Sequence, residues 1–175
     1  MAAFHTECLT LSGKPVQYKE LMTLLNLRVP PNPWNVSKVR DQLIRFGTDL
    51  RMSPEALEDF VTAIGEAFAN AIEHARTVEP VDINIRSQGK HIVAMVRDRG
   101  CGIDPRRVLD RLPPATTERG RGIPLMRRCS SSIEISEPIG GGTLIVLFWE
   151  TARLQIDRPL RGGGSQITTL SQSLQ

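Results

Sequence analysis

From residue 36 to residue 75, apolar side chains recur every three or four positions, and beyond Pro80 they recur every second position. The first spacing is that of helices packed on one side, the second that of half-buried strands. Val36, Val39, Leu43, Phe46 and Leu50 predict one helix, with Asn35 as its N-cap. Ser53-Pro54-Glu55 opens a second: the serine caps, the proline suits the first turn, and the glutamate favours the positive helix end. Leu57, Val61, Ile64, Phe68 and Ala75 make its apolar stripe, and Pro80 ends it. Val81, Ile83 and Ile85 then alternate with Asp82, Asn84 and Arg86. His91 to Arg97 follows after a short turn, so the two runs predict a hairpin. Ile123 to Arg128 predicts a short helix, and Ile133 to Ser136 and Thr143 to Glu150 two more strands. Leu21 to Val29 suits a strand or a short helix, stopped by Pro30-Pro31-Asn32-Pro33.

This order predicts one α/β domain: a mixed sheet covered on one face by helices, a two-layer α/β sandwich. The domain is expected over residues 21–150. Residues 1–20 read as an N-terminal arm and 104–122, rich in Arg, Pro and Thr, as a mobile loop. Residues 151–175 read as a disordered tail, with Gly162-Gly-Gly-Ser and a run of Gln, Ser and Thr.

Composition narrows the class. No apolar run approaches the ~18 residues of a membrane helix, and the N-terminus lacks the basic start and apolar stretch of a secretory signal. A cytoplasmic protein is expected. The net charge of +3 lies mostly in the last 25 residues, where Arg153, Arg158 and Arg161 outweigh Asp157. Aromatic residues are only 5%, which argues against a nucleic-acid surface built on stacking. Cys8, Cys101 and Cys129 form no CxxC pair and no metal spacing with His5, His74 or His91.

Four features carry chemistry. Glu66, Asn70, Glu73 and His74 fall at i, i+4, i+7 and i+8, on the helix face roughly opposite the apolar stripe. The small residues Ala67, Ala69 and Ala71 beside them are expected to let a ligand approach. Asp98-Arg-Gly-Cys-Gly102 follows a strand directly. Its aspartate is placed to accept a hydrogen bond from a ligand amine, and Gly100 and Gly102 allow close backbone approach. Arg119-Gly120-Arg121-Gly122 precedes a helix, where glycine amides cradle anions and arginines pair with phosphate. Gly140-Gly-Gly-Thr143 leads into the last strand. Each alone is also read as an ordinary turn or a solvated face.

In this order and spacing the four resemble the GHKL ATPase superfamily of histidine kinases, type II topoisomerases and MutL-type proteins. Glu66 to Ala75 looks like its N box, Asp98 to Gly102 its first glycine box, and Gly120 to Gly122 its second. Within it, GEAFANAIEHA and RGRGIPLMRR are most similar to the bacterial anti-sigma-factor serine/threonine kinases. The resemblance implies ATP and Mg²⁺ as cofactors, with Asn70 on the metal and Glu66 as the catalytic base. Asp98 would then meet the adenine amino group, Gly102 the base, and Thr143 would support Asp98. Gly120 and Gly122 would close over the phosphates, with Arg119 and Arg121 as possible phosphate contacts. It also implies a homodimer whose partners are a sigma factor and an anti-anti-sigma protein, with no direct contact to nucleic acid or membrane. An ATP-binding regulatory module without phosphotransfer and a detached histidine-kinase catalytic domain are the alternatives.

Overall fold

The computed structural model describes residues 22–88, 90–102 and 121–156. The arm expected at 1–20, the loop expected from residue 104 as far as Gly120 and the tail from 157 onward lie outside the described residues. Arg119 and Gly120 fall there too. The described elements are β1 (Met22–Val29), α1 (Asn35–Asp49), α2 (Pro54–His74), β2 (Val81–Gln88), β3 (His91–Arg97), α3 (Gly122–Cys129), β4 (Ser132–Ser136) and β5 (Leu144–Glu150).

One sheet holds the strands in the order β1-β2-β3-β5-β4. All four neighbouring pairs are antiparallel, so the expected mixed sheet is antiparallel throughout. The reason is the last strand. β3 and β4 run in the same direction and are joined across α3, as a parallel pair would be. β5 inserts between them and pairs with both.

The two-layer α/β sandwich is present as expected. Leu25, Leu27 and Val29 of β1 stand in register with Ile85, Ile83 and Val81 of β2. Pairing with β2 is what makes Met22–Val29 a strand rather than a helix. The same face continues through Ile92, Ala94 and Val96 of β3 to Trp149, Leu147 and Ile145 of β5. This face and the apolar stripes of the helices form one core. Phe60 of α2 stacks on Phe46 of α1 at 5.9 Å and meets Trp149 at 4.9 Å, tying both helices to β5. Phe60 and Trp149 are fully buried, and a side chain so buried stabilises the fold by roughly 1.5–3 kcal/mol.

The helix ends show where local chemistry decided the outcome. Ser53 caps α2 as expected, accepting from the Ala56 N–H at 3.2 Å. Asn35 does not cap α1. Trp34 holds that position with no side-chain cap, and the Asn35 amide donates instead to the Pro30 carbonyl at 3.1 Å, closing the proline turn. Val36 sits at the rim, 36% exposed, rather than in the stripe. α1 stops in a Schellman arrangement: Met52 N–H bonds Gly47 O and Arg51 N–H bonds Thr48 O, with Arg51 at φ 56. α2 stops at His74, six residues before Pro80, because Arg76 turns left-handed at φ 49.

The packed chain continues past Glu150, where the domain was expected to end. Thr151 N–H bonds Lys90 O at 2.8 Å, and Leu154 is only 1% exposed within the core. Among the described residues, no helix is long and apolar enough to cross a membrane.

Candidate functional site

The site is organised by the C-terminal half of α2. Glu66 and Asn70 lie one turn apart and are both half-buried, while Glu73 and His74 are exposed and lie 4.0 Å from each other. Ala67 and Ala71 do not open onto a ligand as expected. Both are buried in the core.

Where α2 ends, it meets the Asp98 turn backbone to backbone. The Ala75 carbonyl accepts the Cys101 N–H at 3.2 Å. A Cβ on Gly100 would lie 2.0 Å from the same oxygen, so only glycine fits. The Cys101 thiol, which is exposed, approaches the His74 carbonyl at 3.4 Å.

Asp98 is 4% exposed and is held on three sides. Its N–H donates to Thr143 O at 3.0 Å. Its Oδ1 accepts from Gly100 N–H at 2.8 Å and from Thr143 N–H at 3.1 Å. The first of these is an Asx turn, in which an aspartate bonds the backbone two residues on. Oδ2 accepts no hydrogen bond from another described residue, so the fold's bonds to this carboxylate fall on one oxygen. Thr143 supports Asp98 through its backbone. That backbone is brought in by Gly140, Gly141 and Gly142, at φ 96, 81 and 84. A Cβ on Gly142 would come 2.2 Å from the Asp98 carbonyl oxygen. The next residue, Arg99, points the other way, donating to Pro80 O at 2.8 Å and pairing with Asp82. Gly102, at φ 75, lies beside the Glu137 carboxylate and the Gly142 carbonyl.

Gly122, the first residue of α3, closes the other end. A Cβ there would stand 3.1 Å from Glu66 Oε2 and 3.3 Å from both polar atoms of the Asn70 amide. The start of α3, where the Gly122 and Ile123 N–H groups have no acceptor within the helix, thus faces the carboxylate and amide of α2. Arg121 precedes it as the N-cap, exposed. Asn70 is five residues from Ala75 and Glu66 is nine, which is about 7.5 Å and 13.5 Å of helix rise. The arrangement suits an extended ligand, with an amine-bearing group at Asp98 and an anionic group at Gly122.

No group of three or more His, Cys, Asp or Glu among the described residues could hold a metal by itself. Mg²⁺ asks for less than that. It keeps several waters and is bound through one or two protein oxygens together with phosphate. The Asn70 amide oxygen, beside Glu66 and the bare Gly122 backbone, has the right donor chemistry for it.

A two-layer domain with an acidic strand end and a glycine-lined helix start is an ATPase-type architecture. Residues 29–149 match the histidine kinase-like ATPase domain, and the chain belongs to that family. It is 24% identical over 155 residues to the serine-protein kinase RsbW of Bacillus pumilus, covering 81% of this chain and 96% of that one. It is 28% identical over 144 residues to the serine-protein kinase RsbW of Oceanobacillus iheyensis, covering 76% and 90%. Its fold resembles that of the RsbU and RsbW domains of Rv1364c from Mycobacterium tuberculosis, with a TM-score of 0.55 at 22% identity. That match covers 72% of this chain and 31% of the other.

Proposed function

We propose that the chain is an ATP-dependent protein serine/threonine kinase that acts as an anti-sigma factor. It phosphorylates an anti-anti-sigma protein and sequesters a sigma factor. The single observation that carries the kinase reading is the nearness of Gly122 to Glu66 and Asn70, whose polar atoms lie 3.1–3.3 Å from where a side chain at 122 would begin, as a base and a metal ligand beside a helix start would require. The serine-protein kinase names of two relatives that align over most of their length support it.

In this reading the adenine amino group donates to Asp98 Oδ2 and the base lies against Gly102. The triphosphate runs along α2 toward Gly122, where helix amides and Arg121 meet its charge. Mg²⁺ bound through Asn70 would neutralise phosphate charge. Glu66 accepts the proton of the attacking Ser or Thr hydroxyl as its oxygen bonds to the γ-phosphorus, and the bond to the β-phosphate oxygen breaks to release ADP. Positioning and charge neutralisation are most of what phosphoryl transfer requires.

Incubation with γ-labelled ATP and recombinant anti-anti-sigma proteins tests the proposal. Acid-stable label on Ser or Thr is expected. Binding of ATP without label would make the chain a regulatory binding module, and acid-labile label on a histidine would make it a histidine-kinase catalytic domain.

A further inference from the structure

We propose that Arg153, in the turn after β5, is a positioning residue for the phosphate side of the site. This rests on reading Glu66, Asn70 and Gly122 as that side. α3 has eight residues, about 12 Å of helix, and a helix so short is not stable by itself in water. It is held by packing on α2, with Met126 and Cys129 in the core, and its C-terminal end is also clamped by hydrogen bonds. The carbonyls there have no partner within the helix, yet three of the last four, and that of the C-cap Ser130, are satisfied from outside the helical ladder. Ser130 Oγ donates to Met126 O at 2.6 Å and Trp149 Nε1 to Cys129 O at 2.7 Å. Arg153 takes the other two, donating from Nη2 to Arg128 O and from Nη1 to Ser130 O, each at 2.7 Å.

The same guanidinium stands 3.6 Å from Asp59 Oδ2 on α2. It therefore ties the end of α3 to the helix that carries Glu66 and Asn70. Arg153 is itself held in place. Its N–H bonds Glu150 O at 2.9 Å, Leu154 beside it is in the core, and Thr151 is pinned to Lys90. The fork geometry matters, because a lysine has one nitrogen where the guanidinium sets Nη1 on one carbonyl and Nη2 on another. With one end of a short rod clamped, the other end, Gly122, keeps its contact with Glu66 and Asn70. Released, the rod tilts, and Gly122 moves while Asp98, fixed by β3 and Thr143, stays. Arg153 lies just beyond the residues matched to the family.

Affinities of ATP and of adenosine separate the two ends, because adenosine reaches only the Asp98 side. Calorimetric titration of the full chain with Mg²⁺ present should show Arg153→Ala losing about tenfold or more in ATP affinity, with adenosine changed by less than about twofold. Arg153→Lys should show the same split in smaller degree, and it carries the test if the alanine variant fails to fold. Asp59→Asn, which weakens the ion pair with Arg153 and also alters the interaction of Asp59 with the Cys129 thiol, should weaken ATP in the same direction. Equal losses for both ligands, or a lower melting temperature with both affinities unchanged, would overturn the proposal and leave Arg153 a stabilising residue only. Wild-type protein that binds ATP no more tightly than adenosine would instead sink the phosphate-side reading itself.

Discussion

Ala75 and Gly100 touch through their backbones: the carbonyl at the end of α2 occupies the space where any side chain at position 100 would begin. The contact joins the helix bearing Glu66 and Asn70 to the turn bearing Asp98. Gly100→Ala should therefore separate the two halves of the site. A loss of about 3 kcal/mol in stability, near the upper end for overpacking, is expected in urea unfolding, with weaker ATP binding at temperatures where the variant is folded. Unchanged stability would show that the turn yields without cost.

Asp98→Asn tests Oδ2, the oxygen proposed to meet the ligand. The asparagine carbonyl can still accept from Gly100 and Thr143, so the fold should hold. ATP binding should weaken by about 1.5–3 kcal/mol, the range for a hydrogen bond to a charged group, measured by calorimetry. Asp98→Ala should differ in kind, lowering the melting temperature as well, since two backbone N–H groups lose their acceptor.

Gly122→Ala should move stability and binding in opposite directions. Alanine favours a helix over glycine by up to about 1 kcal/mol, so thermal stability should hold or rise. The new methyl group would stand in the gap before Glu66 and Asn70, and ATP affinity should fall. A variant that binds ATP normally would take Gly122 out of the site.

Glu66→Gln should bind ATP with little change and transfer phosphate about 10²–10⁴-fold more slowly, as expected for a lost general base. Equal transfer rates in single-turnover measurements would assign the proton to another acceptor.

Thr143→Ala and Gly142→Ala form a contrasting pair. Thr143 reaches Asp98 through its main chain, so the alanine variant should stay within about 0.5 kcal/mol of the parent in stability. Gly142→Ala meets a left-handed backbone, which costs about 1–2 kcal/mol, and the Asp98 carbonyl 2.2 Å away. It should be clearly destabilised in thermal melts.

The elements were legible where the signal is local and repeated. α2 shows a helical period over 21 residues with a serine cap, and β2 alternates buried and half-buried positions along its whole length. The contacts around Asp98 and Gly122 fall on motifs that were visible as glycine turns. What stayed hidden depends on distant partners. The direction of the strand pairs turns on β5 entering between β3 and β4, which no local pattern records. Asn35 has the chemistry of a cap, but its amide found the Pro30 carbonyl nearby. Ala67 and Ala71 turn out to be core residues, which their small size did not reveal. Arg153 resembles any surface arginine until its carbonyl partners, more than twenty residues earlier, are seen.

The late entry of β5 has a consequence for biosynthesis. Glu66, Asn70, Asp98 and Gly122 all leave the ribosome before the strand that fills the gap in the sheet. A nascent chain released at Gly142 has every proposed ligand-binding side chain, yet it lacks the backbone partner of Asp98 and the tryptophan and arginine that clamp α3. In the proposed reading, the complete nucleotide site therefore forms only once β5 has been made.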